Sequence, residues 1–430
     1  MRRLFLSLFL VALAGSIASA AQTPKRLPVM TIADGSVRPL VPRTLGILVN
    51  KADPDSIALG DAYAKKRGIP LENIITVEVP IADGIQMKRY LPVKEAVDRA
   101  VRERGLRGIV VAWQKPYRVE NRSITYALSL GPETSKKGGG CRPSDHNPIF
   151  AASAGIDLPF PVSMMLVGGR EPADALALVQ KAGDGDARDW DAAVVLAYTN
   201  DKLRSGPREG GYLEAMKRFR SRIKFDVVQP GRLVRRNDII GYQTGNAKVR
   251  PLDALPFVVG AFVDNLTSFG GRLYGDGKQT RITEFMKAGA TASYGAVEEP
   301  CNYTLKFPYT PFILEPYLRG DTLVEAYWKS VGMVTEGLFV GEPLARPFGP
   351  VTAEIVDGRL RLSANRQTPS GSFDLYRVDS GEPQRLARDL RLDGPRIGMV
   401  IADLPVEGLG DGAVLALAPA PGAPPAERFR

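Results

Sequence analysis

The chain has 430 residues, of which 44% are hydrophobic and 24% charged, with a formal net charge of +10 and two cysteines. That apolar content supports a large folded core and excludes a disordered or fibrous chain. So small a net charge on so long a chain tunes solubility rather than building a polyanion track, so no nucleic acid is expected as a partner. More than one domain is expected at this length.

Residues 1–20 begin with Arg2 and Arg3, continue as an apolar run from Leu4 to Ala14 and end in Ala18-Ser19-Ala20, the layout of a cleavable export signal peptide. The run is too short to cross about 30 Å of hydrocarbon as a helix. Its removal lowers the formal charge from +10 to +8, with 55 basic against 47 acidic residues remaining. No later segment is long and apolar enough to span, so the mature chain is expected to be periplasmic or secreted, without a transmembrane segment. Residues 21–42, with Pro24, Pro28, Pro39 and Pro42, read as an N-terminal arm.

From Thr44 the pattern alternates. TLGILVN (44–50) suits a strand buried on both faces, and Leu59, Ala62 and Tyr63 mark a helix stopped at Gly68 and Pro70. NIITVEV (73–79) is a strand; a helix starting at Pro92 carries Val93, Ala96, Val97, Ala100 and Val101 and ends at Gly105; GIVVAW (108–113) is the next strand. SMMLV (163–167), a helix over 172–182 and AAVVLAY (192–198) continue the series. A further helix presents Tyr212, Met216, Phe219 and Ile223, with Lys217, Arg218, Arg220, Arg222 and Lys224 as its solvated face. The strands DIIGYQTGN (238–246) and PFVVGAFVDNLTSFGG (256–271) follow, then a short helix over 282–288, the strand ATASYGAV (290–297) and a helix over 322–331 opened by Thr322 and Glu325 in capping-box spacing. Strands alternating with helices imply a doubly wound α/β domain over 43–349, its sheet mostly parallel. Beyond Pro350, short alternating runs punctuated by Asp357-Gly358, Ser380-Gly381 and Asp393-Gly394 predict a small β-sandwich over 350–418, followed by a Pro-rich tail, 419–430.

The two strands at 238–246 and 256–271 resemble the core segments of the caspase/gingipain superfamily of cysteine peptidases, in which one strand ends in His-Gly and the next in the nucleophilic Cys. TLGILVNKADPDSIALGDAYAKKRGIPLENI, GATASYGAVEEPC, YLRGDTLVEAYWKSV and LFVGEPLARPF are similar to the opening and closing sections of gingipain-type domains. The chain as a whole resembles an uncharacterised family of exported bacterial proteins sharing the EEPCNY, KFP, YWKSV and GEPLA.PF strings. The resemblance implies that Thr244-Gly245 stands in the His-Gly slot and that the Gly260–Phe262 stretch stands where the Cys would be delivered. Threonine is no proton acceptor near neutral pH, and glycine, alanine and phenylalanine carry no nucleophile. What the resemblance implies is therefore a catalytically degenerate, caspase/gingipain-like binding or scaffold module. Its partner would be a peptide, protein or envelope polymer.

In open α/β sheets the ligand crevice lies outside the carboxyl ends of the strands. That rule gathers Asn200, Asp201, Thr244, Gly245, Asn246, Asp264, Asn265, Thr267, Ser268, Glu298, Glu299 and Cys301 on one rim. Asp264, Glu298 and Glu299 could hold Ca²⁺ or Mg²⁺ or act as a general acid and base; equally, they could cap helices or pair with Arg272, Lys278 or Lys306. No resident cofactor is otherwise expected. Cys301 could serve a periplasmic hydrolase as nucleophile with His146, the sole histidine, as its base; alternatively Cys141 and Cys301 form a disulfide. Ser268 and Thr267 lack the GxSxG spacing of a nucleophile elbow.

Overall fold

The computed structural model describes residues 24–32, 39–131, 141–275, 277–379, 381–405, 408–410 and 412–421. The leader-like residues 1–20, parts of the N-terminal arm and most of the tail lie outside them. Ten strands form one sheet: β1 Leu45–Asn50, β2 Ile74–Val77, β3 Gly108–Val111, β4 Val162–Met165, β5 Ala193–Ala197, β6 Lys224–Val228, β7 Ile239–Thr244, β8 Phe257–Asn265, β9 Ala292–Ala296 and β10 Gly337–Gly341. Their spatial order is β6-β5-β7-β8-β9-β10-β4-β3-β1-β2. All neighbours are parallel except β9 and β10. The sheet is therefore two parallel halves of five strands that run in opposite directions and meet at one antiparallel seam. In each half the chain steps outward once and then crosses back, so strand order reverses between β5 and β7 and again between β1 and β3.

The helices are α1 Pro54–Arg67, α2 Met87–Arg104, α3 Ile124–Leu130, α4 Pro172–Gln180, α5 Lys202–Ser205, α6 Glu209–Phe219, α7 Ile282–Lys287, α8 Thr310–Leu318 and α9 Leu323–Ser330. Local chemistry sets their ends. Asp53 caps α1 by accepting from the Asp55 amide, and Gly68 ends it at φ 65°. Thr322 and Glu325 form the expected reciprocal capping box on α9. In α2 the helix starts at Met87, ahead of Pro92.

Side chains alternate between two apolar layers. Ile47, Val49, Val110, Val194, Leu196, Ile240 and Phe262 face α1, α4, α6, α8 and α9. Leu48, Ile109, Val111, Val195, Tyr242, Val263 and Val340 face the layer containing α2 and α7. Burial on both faces explains the uninterrupted apolar runs of β1, β3 and β5. Gly241 is needed because a Cβ there would lie 2.4 Å from the Phe262 ring.

Beyond Pro350 the chain forms two further four-stranded sheets. Leu360, Leu362, Phe373, Leu375, Leu415 and Leu417 share one apolar cluster with Leu27 and Val29. The segment read as an arm is thus part of these sheets: Lys25–Leu27 pairs antiparallel with Thr352–Val356, and Val29–Thr31 pairs parallel with Leu415–Pro419. Two three-residue strands separated by Pro28 are too short to show a period of two, which is why this segment reads as structureless.

Candidate functional site

The strand-end rim of the β5–β9 half assembles as the parallel register requires. Ala197 stands beside Thr244, Thr244 beside Asn265, and Asp264 beside Tyr294. Thr244 is buried and its hydroxyl donates to the Ala197 carbonyl at 3.2 Å. Asn265 is clamped to Asn246 by two bonds, its amide donating to the Asn246 carbonyl and accepting from the Asn246 amide, both at 3.0 Å. The Gly245 carbonyl accepts from the Thr199 hydroxyl at 2.7 Å, and a Cβ on Gly245 would sit 2.1 Å from the Arg204 carbonyl oxygen. Thr267 donates to Gln279, which also accepts from the Phe269 amide, so the 267–269 turn is held by one side chain.

One site expectation is corrected here. The Gly260–Phe262 stretch lies inside β8, not at its end; β8 makes an irregular step against β7 at this point, and Gly260 adopts φ 100°. The strand runs on to Asn265, so Asn265 holds the position next to Thr244 and Asp264 the one next to Gln243. The apolar run VVGAF masks this, because it reads as a complete strand.

Asp264 is fully buried and paired with the Arg208 guanidinium, itself 4% exposed. Burial pushes its pKa up to about 6, while Arg208 and, more weakly, Gln243 pull it down. Arg208 and Gln243 both donate to the Pro308 carbonyl, at 3.0 and 3.2 Å. This buried cluster ties β7, β8 and the start of α6 to the segment before α8. A carboxylate so enclosed can neither bind a cation from solvent nor take a proton from a ligand on the rim. Gln243, next to Thr244, and Arg208, in the GPREGG turn, carry no motif, so their pairing with Asp264 is invisible in the sequence.

Glu298 pairs with Arg272 at 3.3 Å, one of the partners its surroundings suggested, and its other oxygen accepts from the Glu299 amide at 3.3 Å. Lys306 pairs instead with Glu336 in a fully buried bridge. Glu299 accepts from the Cys301 amide at 2.9 Å and supports the turn in which Cys301 takes φ 52°. Among the described residues Asp264, Glu298 and Glu299 do not come together as one group, and Asp264 and Glu298 take the ion-pairing alternative, with Arg208 and Arg272. Among the described residues the one close trio of metal-ligand types is Cys141, Glu299 and Cys301. Two of these are consumed, since Cys141 and Cys301 form a disulfide with Cα atoms 4.9 Å apart. Without a thiol, Cys301 is not a nucleophile.

The disulfide brings the loop containing His146 towards the rim, but His146 is exposed and meets the edge of Phe150 at 5.4 Å. Its neighbour Asn147 is fully buried, and its amide donates to the Trp328 carbonyl at 2.7 Å and the Val331 carbonyl at 2.8 Å, capping the end of α9.

What the rim does offer is a groove of about 360 Å³ at the β5/β7 reversal. Tyr198, Asn200, Gln229, Arg232, Tyr242 and Asn246 are among its walls. Thr244 contributes to its floor, whereas Glu298, Glu299 and Cys301 do not reach it. The geometry offers amide, hydroxyl and guanidinium groups for recognition.

No protein-family model matches the chain, and no curated protein is similar to it. A solved structure described as "Structure of Protease" is similar over 82% of this chain and 92% of that chain, with a TM-score of 0.40 and 9% sequence identity. So faint a likeness leaves the site to be argued from its own geometry.

Proposed function

We propose that this is an exported binding or scaffold protein on a caspase/gingipain-like framework whose thiol chemistry has been replaced by structure, and that it holds a peptide, protein or envelope polymer in the groove at the ends of β5 and β7. The observation that carries this reading is the Cys141–Cys301 disulfide, which uses both cysteine thiols of the chain. The polar groups at the ends of β7 and β8 point the same way: Thr244 and Asn265 bond to backbone atoms, and Asp264 is sealed against Arg208. Export is supported by the leader-like residues 1–20 and by the persistence of disulfides outside the cytosol.

The test applies the unreduced mature protein to an array of immobilised peptides of varied sequence, and separately to a complex peptide mixture read by mass spectrometry. A subset of the array should retain the protein, Arg232→Glu and Asn246→Ala should weaken that retention, and the mixture should gain no new termini. Sequence-specific new termini made by the unreduced protein would replace this reading with a hydrolase.

A further inference from the structure

The net charge of the chain is modest in total but is not spread evenly over it. Residues 201–250 hold 13 basic and 5 acidic side chains, a net of +8, while the rest of 21–430 holds 42 of each sign. That stretch builds the outer end of the ten-stranded sheet: α5, α6, the edge strand β6, β7 and the loops around them. We propose that this end docks on the surface of an anionic lipid bilayer, with the mouth of the β5/β7 groove against the membrane.

Three loops of the stretch meet at that groove, whose walls include Asp201, Arg232, Leu233, Val249 and Arg250. Next to these walls in the chain stand Lys202, Arg235 and Lys248. Lys202, Arg232, Arg235 and Lys248 are exposed, and none of them enters an ion pair among the described residues. The neighbouring carboxylates are largely spent, Asp201 on Arg204 at 2.8 Å and Glu284 on Arg250 at 3.0 Å. Asp253, exposed beside the Ala254 wall, sets one negative charge against the four. The field of an anionic leaflet attracts each such cation within a Debye length.

Charge alone would suit any polyanion, and the apolar side chains choose among them. Leu203, next to Lys202, is 73% exposed, and Leu233, next to Arg232, is 64% exposed. At a bilayer such leucines enter the acyl boundary while the cations beside them stay with the headgroups, whereas a soluble acidic polymer offers the leucines nothing. A single-stranded nucleic acid would need exposed aromatic faces, and no aromatic side chain of 201–250 is exposed. The inference does not depend on what the groove holds: Lys202, Leu203, Arg235 and Lys248 are not among its walls, so docking and ligand retention can fail separately.

The test is co-sedimentation of the mature, disulfide-intact protein with vesicles of phosphatidylglycerol mixed with phosphatidylcholine, and with vesicles of phosphatidylcholine alone. The mixed vesicles should carry the protein down and the neutral ones should not. Lys202→Gln with Arg235→Gln should weaken the partition about thirtyfold, the worth of two charges at an anionic leaflet. Leu203→Asp with Leu233→Asp should weaken it about tenfold or more, and all four substitutions should leave the circular dichroism melt unchanged. Leu71→Asp, at a leucine 71% exposed just before β2 on the opposite edge of the sheet, should have no effect. The proposal is overturned if the protein stays in solution at about 1 mM mixed lipid, where the affinity of even one myristoyl chain gives extensive binding, or if neutral vesicles carry it equally. Binding that Leu71→Asp weakens as much, or that ignores the Leu203 and Leu233 pair, overturns it as well, the latter leaving a surface for soluble acidic polymers.

Discussion

Replacing Asp264 by alanine should be among the most damaging single changes in the rim. The carboxyl group is fully buried against an Arg208 that is itself 4% exposed, so truncation removes the acceptor that the guanidinium faces and leaves a cavity beside an interior charge. Losing one partner of such a pair costs about 3–5 kcal/mol, whereas replacing both by apolar groups of similar volume is often neutral or stabilising. Urea unfolding of the unreduced protein at pH 7, followed by far-ultraviolet circular dichroism, should therefore show a loss of about 4 kcal/mol for Asp264→Ala. The double variant Asp264→Leu with Arg208→Met should recover most of that loss. The sign of the pH dependence follows from the raised pKa. The folded protein keeps the Asp264 proton up to about pH 6, above the ordinary carboxylate value of 3.8. This contribution to stability is present in full below about pH 4 and is lost as pH rises through 6, a change of about 3 kcal/mol for a fully buried group. Asp264→Asn should remove that part of the pH profile. A loss below about 1 kcal/mol for the alanine variant, or a double variant as unstable as the two singles summed, would refute the account of this cluster.

Other consequences are equally checkable. Reducing the disulfide opens a loop of 160 residues, for which chain entropy sets a loss of roughly 5 kcal/mol as the upper end, so the urea midpoint should fall clearly on addition of reductant; an unchanged midpoint would deny that the bond constrains the chain. Asn147→Leu leaves the Trp328 and Val331 carbonyls without their donor and should cost about 2–3 kcal/mol by the same denaturation assay, while His146→Ala, at an exposed ring, should fall within about 0.5 kcal/mol of the parent. Gly245→Ala forces a Cβ to 2.1 Å from the Arg204 backbone and should lower the melting temperature and abolish peptide-array retention together, whereas Gly210→Ala, with open space around it, should do neither.

The parallel sheet was legible because buried strands such as GILV and AVVLA are continuous apolar runs, and because helices with strong caps, α1 and α9, separate them. Strand β6 was hidden by its place at the sheet edge: KFDVV begins in lysine and buries only Val228 fully, so it shows neither a buried run nor clean alternation. Helix α8 was hidden for the opposite reason. TPFILEPYL is buried almost all round and carries Pro311 and Pro316, so it has no polar stripe and looks like a breaker-rich connection. At the site, the residues following each strand were found because the carboxyl-end rule needs only strand boundaries and direction. Their partners were not, because Asp264 meets an arginine 56 positions earlier in the chain and Asn147 caps a helix 181 positions away. The direction of the β1–β4 half depends on the antiparallel seam at β10, which no local pattern records.

Whether a disulfide ties the rim, as the proposed binding role requires, is decided by counting thiols in protein purified without reductant. Titration in the native state and after denaturation, with the linked peptide identified by mass spectrometry, should give no free thiol and one Cys141–Cys301 cross-link. A Cys301 that reacts rapidly in the native protein, with Cys141 also free, would contradict the account and restore the thiol hydrolase.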